Sequence, residues 1–280
     1  MPGVQLADLL SLTPHAVDTY VGSGHAYPWG GLYGGHIVAQ ALRAAGHSVT
    51  PGFEVHSMRA YFIRRGDHRE PVRYEVDRIR NGRSFATRRV VARQSAGAIL
   101  NLEASFQVHE DGADRSFVGW PTRLPAPDAL PPSSWGEGFD RRLVPAEAVE
   151  GSAPRAEGCC LAWMRALVDP GDDPLVHACI VAYLSDDLPT DAVYRVHPVI
   201  APRLAAGGDS GAYSASLDHT LWFHRPLRAD QWHLYDVSCV RLAGNRGLTI
   251  GTVFDAQGKQ VATMAQEVLI RDARPTRQAL

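Results

Sequence analysis

The sequence predicts an α+β fold built from two similar units, each a helix lying on an antiparallel sheet. Three observations carry this reading. The apolar periodicity changes from helical to alternating near residue 53, the same order of elements returns after residue 158, and the two halves share a weak internal repeat. Two unrelated antiparallel domains are the plainer alternative.

The elements follow in order. Residues 3–13 alternate apolar and small polar types and are read as a short helix. A glycine-rich stretch (Gly22, Gly24, Gly30, Gly31, Gly34, Gly35) leads into 36–46, where Ile37, Val38, Ala41, Leu42 and Ala45 share one helical face and Gly46 suits a stop. Strands are predicted at 54–64, 71–80, 84–94 and 98–109, with turns at Asn81-Gly82 and Ala96-Gly97. Residues 111–157 are rich in proline and read as a connection, packed down by Trp120, Trp135 and Phe139. The order then repeats. A strand is predicted at 158–168, and Asp173 and Pro174 suit the cap and first position of a helix whose buried stripe is Leu175, Val176, Cys179, Ile180 and Tyr183. Strands follow at 213–225, 231–241, 247–255 and 259–270. The expected divisions are an N-terminal unit 1–110, a packed linker 111–157, a C-terminal unit 158–272 and a tail 273–280. In the repeat, the segment from His56 to Arg64 matches that from Leu217 to Arg225, and Ala104–Gln107 matches Thr263–Gln266.

Composition narrows the function. The 280 residues are 45% hydrophobic, enough for a sizeable core without disulfides or metal. With 28 basic and 30 acidic residues the formal charge is −2, which gives no reason to expect nucleic acid or an anionic membrane as partner. Cys159, Cys160, Cys179 and Cys239 read as core packing in a reducing compartment. Without a long apolar run, a cytoplasmic protein is expected, with no membrane contact. No metal is expected: His219 and His224 are five apart, His233 lies in another strand, and no cysteine pair has ligand spacing.

Several segments together resemble the acyl-CoA thioesterase II family. They are Gly30–Leu42, His56–Phe62 with Gly66-Asp67, Asn81–Phe85, Arg88–Val90, Ala182–Asp186, Leu217–His219 with Trp222–Pro226, Arg246–Leu248 and Gln266-Glu267. The resemblance spans nearly the whole chain outside 111–157. It implies a tandem (double) hotdog, two helix-wrapped antiparallel sheets joined into one continuous sheet. It also implies acyl-CoA as substrate and no cofactor. Family roles for an acid, a hydroxyl and an amide fall on Asp186, Ser216 and Gln266, with Ser216 in place of the more usual threonine and His36 in place of the more usual glutamine.

Thioester hydrolysis needs an oriented water, a proton acceptor and donors for the oxyanion. Asp186, Ser216 and Gln266 meet the first two needs, and the absence of a Gly-x-Ser-x-Gly elbow argues against a serine nucleophile. The Gly34, Gly35 and His36 amides at a helix start suit the thioester carbonyl, although glycines there equally suit a close backbone approach. Asp218 and His219 are candidates to support Ser216. Ten arginines lie between 64 and 93; Arg64, Arg83 and Arg88 are candidates for the CoA phosphates, and a solvated, acid-paired sheet face is the alternative. Trp29, Tyr33 and Tyr61 are expected as pocket walls. The competing functions are a non-catalytic acyl-CoA or acyl-carrier binding protein and a hotdog dehydratase. A homo-oligomer is expected because open sheets leave edges.

Overall fold

The computed structural model describes residues 9–121, 124–136, 138–145, 148–149 and 158–272. The tail 273–280 and residues 3–8 of the predicted first helix lie outside the described residues. Past Leu9 and Leu10 the chain is extended. β1 (Leu12–Ala16) and β2 (Thr19–Gly22) form a hairpin that turns at Asp18, whose φ of 52° is one that aspartate tolerates. The helix expected over 3–13 is therefore not helical from Leu12 onward.

α1 (Gly34–His47) follows, then the meander β3 (Phe53–Phe62), β4 (Val72–Asn81), β5 (Phe85–Gln94) and β6 (Gly97–Val108), within two residues of the predicted bounds. The linker contributes a strand that its proline content concealed, β7 (Phe139–Val144). The second unit holds β8 (Cys159–Ala166), α2 (Pro174–Ser185), α3 (Leu188–Val196), α4 (Ile200–Ala205), β9 (Ala212–Ser216), β10 (Asp218–Phe223), β11 (His233–Ala243), β12 (Arg246–Asp255) and β13 (Gln260–Asp272). α3 and α4 are not predicted; α3 buries Leu188, Ala192 and Val193 against the far end of the second sheet.

The thirteen strands among the described residues form one sheet, ordered β1-β2-β4-β5-β6-β3-β10-β13-β12-β11-β8-β7, with β9 also on β13. The halves join at β3 and β10, which run antiparallel from Ser57 opposite Trp222 to Tyr61 opposite Asp218. This is the expected fused double hotdog. On the inner face α1 and α2 lie side by side and antiparallel: Gly35 meets the Tyr183 carbonyl at one end, and Gly46 meets Leu175 at the other. Gly46 is thus not a stop signal. It lies inside the helix, where an added Cβ would come 2.2 Å from the Leu175 side chain. α2 is also not striped. Every residue from His177 to Ser185 is buried, because the sheet covers one side and α1 the other.

The linker packs as expected. Trp120 rests on Trp163 and Phe254 on the outer face, while Trp135 and Phe139 rest on Tyr183. Face alternation corrects one detail of the repeat. Gln107 alternates with the buried Leu102, Ala104 and Phe106, whereas Gln266 lies on the buried face with Met264 and Val268.

One irregularity positions the candidate site. The strand predicted at 213–225 breaks at Leu217. Ser216 pairs with Val268 and Thr220 with Ala265, so three residues of one strand oppose two of the other. In a regular strand Ser216 and His219, three apart, would face opposite ways; the extra residue brings both to the inner face.

Candidate active site

Asp186 is the C-cap of α2 and is 6% exposed. Three elements converge on its carboxylate. Ser216 Oγ at the end of β9 donates to Oδ1 (2.9 Å), Gln266 Nε2 on β13 donates to Oδ1 (2.8 Å), and the Gly35 amide at the start of α1 donates to Oδ2 (2.8 Å). Gln266 Nε2 also donates to Ser216 Oγ (2.8 Å), which closes a triangle of acid, hydroxyl and amide. The three residues expected from the resemblance are therefore in mutual contact.

Burial pushes the Asp186 carboxyl up to about 6, against the three donors, which pull it down, and with a smaller upward push from Asp187. Its place at the negative end of a helix acts in the same upward sense. The result is an acid that is ionised at neutral pH yet basic enough to take a proton.

His219 stands behind Gln266. Its Nδ1 lies 2.5 Å from Gln266 Oε1 and its Nε2 lies 2.8 Å from Ser185 Oγ. The amide oxygen only accepts, so Nδ1 carries the proton and Nε2 accepts from Ser185. Burial pushes His219 down to about 4, so the ring is neutral at pH 7. This fixes which way the Gln266 amide points: oxygen to histidine, nitrogen to Asp186 and Ser216. Asp218 acts one residue along. Its Oδ1 accepts from the Glu267 amide (2.8 Å), and the Leu217 amide donates to the Glu267 carbonyl (2.9 Å), which pins β13 beside Gln266.

The double glycine is explained by close approach. A Cβ on Gly34 would lie 2.5 Å from Asp186 Oδ2 and 3.0 Å from the Phe62 ring, and one on Gly35 would lie 2.3 Å from the Tyr183 carbonyl. The Gly35 amide is already taken by Asp186, so it is not free for a carbonyl oxygen. His36 comes next, ahead of the first intrahelical bond, Ile37 to Tyr33. Its ring is neither at the surface nor titrating near neutrality. It is fully buried, accepts from Tyr27 (2.9 Å), donates to the Ser23 carbonyl (3.1 Å), and is pushed down to about 4 by burial.

The three arginine candidates do not converge. Arg88 is 2% exposed and spends its guanidinium on Ser48, Asn81 and the Arg80 and Thr87 carbonyls, so it holds the N-terminal unit together and cannot face a nucleotide. Arg64 donates to Ala98 at the start of β6, whereas exposed Arg83 precedes Phe85, opposite Gln107 at the far end of β6. Of the expected pocket walls, Trp29 and Tyr33 pack together with ring centroids 5.7 Å apart, and Tyr61 lies elsewhere. Tyr33 is buried and donates to the Tyr183 carbonyl (2.9 Å), Trp29 stacks on Tyr27 with centroids 5.3 Å apart, and Tyr61 is 61% exposed on the opposite face of the sheet from Ala60. Tyr61 therefore does not border the site; Phe62 does.

Sequence reasoning missed the linker's share. Asp187 is not solvated: Trp135 Nε1 donates to its Oδ1 and Arg141 Nη1 to its Oδ2 (2.8 Å). No spacing in the sequence signals that pairing, because 46 residues separate Arg141 from Asp187.

Comparison with known proteins agrees with this fold. Residues 25–107 match the acyl-CoA thioesterase N-terminal domain family and 109–270 the acyl-CoA thioesterase C-terminal domain family. Mouse acyl-coenzyme A thioesterase 8 is 33% identical over 96% of this chain and 89% of its own length. Haemophilus influenzae acyl-CoA thioesterase 2 is 30% identical over 86% of this chain and 87% of its own. The crystal structure of the acyl-CoA thioesterase II TesB2 from Mycobacterium marinum superposes with a TM-score of 0.83 at 36% identity, covering 97% of this chain and 99% of that one. A fused double hotdog with both domain families in order along one chain belongs to the acyl-CoA thioesterase family.

Proposed function

We propose that this chain hydrolyses acyl-CoA thioesters to the free acid and CoA-SH, using a water activated by Asp186 and oriented by Ser216 and Gln266. The observation that carries the reading is the closed hydrogen-bond triangle on a buried carboxylate. A carboxylate offers about four lone-pair sites, and three are filled here, which leaves one on Oδ2. That oxygen lies against Gly34, whose lack of a side chain lets the carboxylate come this close, and its remaining lone pair is the place for the attacking water. A water there donates one proton to Oδ2 and presents a lone pair to the thioester carbonyl. As the water oxygen bonds to the carbonyl carbon, Asp186 takes the proton and the oxyanion turns toward the His36 amide. Collapse breaks the C–S bond, and the proton held by Asp186 leaves with the thiolate as CoA-SH. No side chain needs to form a covalent intermediate.

Of the three arginines, Arg64 is the candidate we keep for the CoA phosphates, supported by its position two residues past Phe62, whose ring borders Gly34. Assembly as a homo-oligomer in a cytoplasmic setting completes the reading; four buried cysteine thiols, none in a disulfide among the described residues, and sheet ends at β1 and β7 support it.

The test is release of free thiol from acyl-CoAs of short to long chain, wild type against Asp186→Asn. Release that falls by about 100-fold or more in the variant supports the reading. Tight binding of acyl-CoA with no release across the panel replaces it with a binding protein. Reversible addition of water to an enoyl-CoA replaces it with a dehydratase.

A further inference from the structure

The two helices meet twice, once at each end, and the second meeting point holds a cavity of about 730 Å³. It lies beside the C-terminus of α1 and the N-terminus of α2, at the opposite end of the helix pair from Asp186. Its walls come from the counterparts of the elements around Asp186. At the Asp186 end, these are the end of β3 (Phe62), the end of β9 (Ser216) leading into β10, and the middle of β13 (Gln266). At the cavity they are the end of β10 (Phe223), the start of β3 (Phe53) and the end of β6 (Phe106). Even the irregularity recurs: β3 carries an extra residue at His56, between Val55 opposite Phe106 and Ser57 opposite Ser105.

The chemistry differs at the helix ends. The C-cap of α1 is Ser48, where α2 has Asp186, and the Ser48 hydroxyl is already held by Arg88 and the Ala45 carbonyl. The acid at this end, Asp173, caps its own helix through the Leu175 amide (3.0 Å) and pairs with Arg43 (2.6 Å). Asp173 is therefore tied down where Asp186 is not. The walls carry no surplus of positive charge either. Arg43 is tied to Asp173 and Arg225 to Asp114 (2.6 Å), while Glu54 and Glu110 stand at the rim. A carboxylate or phosphate gains nothing there. A neutral chain bearing amides does, since apolar surface alternates with histidine rings able to donate and accept.

We propose that this cavity is a second, non-hydrolysing site for an acyl thioester, seating the neutral pantetheine arm and acyl chain while the nucleotide remains in solvent. This rests on the reading of the Asp186 end as the hydrolytic one. The probes are thioether analogues of butyryl-, octanoyl- and palmitoyl-CoA, which cannot be hydrolysed, titrated calorimetrically into the full chain. Two equivalents are expected for the best-fitting chain length. Ala178→Trp, which fills the cavity from α2, is expected to bind one and to keep the kcat and KM of the wild type. Leu227→Trp fills it from outside the helices and decides the matter if the helix variant does not fold. A single equivalent in a wild type that turns over acyl-CoA overturns the second site alone, as does a second equivalent that survives both tryptophans. A second equivalent of plain octanoate in place of the thioether overturns the thioester assignment. No turnover and no binding overturn both the second site and the hydrolase reading.

Discussion

His219 gives the sharpest test of how the site is held. It and Gln266 are both 0% exposed, and Gln266 Oε1 has the His219 Nδ1–H as its donor. Replacing His219 with leucine leaves a buried carbonyl oxygen unsatisfied, which costs about 1–3 kcal/mol of stability. Ser185 is less affected, since it turns to the Ala182 carbonyl at 3.0 Å. In the wild type a flipped Gln266 amide sets donor against donor at His219 and oxygen against carboxylate at Asp186. Without the ring only the second penalty remains, and the amide is free to rock. An orientation loss of about 1.4 kcal/mol at the transition state is about tenfold in kcat. KM is expected to hold, because His219 touches Gln266 and Ser185 and lies behind the water. Asparagine places a donor near Nδ1 at the same reach from the backbone, so His219→Asn is expected to recover most of kcat where His219→Leu does not. Steady-state kinetics of both variants, with thermal unfolding as the control, read this directly. Equal losses in the two variants, or a stability loss in the leucine variant with kcat intact, refute the argument that His219 aims the amide.

Other outcomes follow from the same geometry. Gly34→Ala puts a Cβ 2.5 Å from Asp186 Oδ2, which must then shift away from its donors, and is expected to lower kcat by about 100-fold or more while circular dichroism stays unchanged. The rate is expected to fall as pH drops through about 6, where Asp186 takes its proton, by about tenfold per unit below that; a profile flat down to pH 5 removes Asp186 as the base. Stability changes in the other direction. A folded-state value raised from 3.8 to about 6 means that the native state holds this proton more firmly than the unfolded chain, so the ionised group destabilises above pH 6 by up to ~3 kcal/mol. Asp186→Asn removes that cost and loses about 1 kcal/mol of hydrogen bonding to Gly35. Its melting temperature relative to wild type is therefore expected to be higher at pH 8 than at pH 5. Arg64→Ala is expected to raise KM for acyl-CoA with little change in kcat, and no change in KM would release Arg64 from the phosphates.

Much of this fold is legible in the sequence because period and punctuation agree. Asn81-Gly82 closes a hairpin whose strands alternate, and Asp173-Pro174 opens a helix with the cap bond donated by the Leu175 amide to Asp173. What is not legible depends on partners distant in sequence. Gly46 reads as a stop until Leu175 is seen to lie against it. Arg88 reads as a phosphate ligand until Ser48 and Asn81 are seen around it. Proline density hid β7, although no proline falls within Phe139–Val144 and the flanking ones stand at 132 and 145. For the site, the resemblance names Asp186, Ser216 and Gln266, but spacing alone would set Ser216 and His219 on opposite faces. Only the bulge between β9 and β10 resolves that, and a bulge of this kind has no residue signature here.

The acids at the two ends of the helix pair show why only one is suited to be a base. Asp173 and Asp186 both sit at an end of α2, one at its N-cap and the other at its C-cap. Burial pulls both carboxyls upward. At the N-cap, Arg43 and the Leu175 amide outweigh that pull and Asp173 falls below its ordinary value, tied down and weakly basic. At the C-cap no cation among the described residues bonds to the carboxylate: Arg141 reaches only the neighbouring Asp187. Three neutral donors hold the Asp186 carboxylate without quenching it. Neutral donors fix direction, whereas a cation would lower the pKa out of the working range. A homodimer of identical hotdogs has to repeat one choice at both ends. Fusing the halves into one chain frees the ends to differ, so that one helix junction can keep an uncompensated acid for chemistry while the other neutralises its acid and keeps an open cavity.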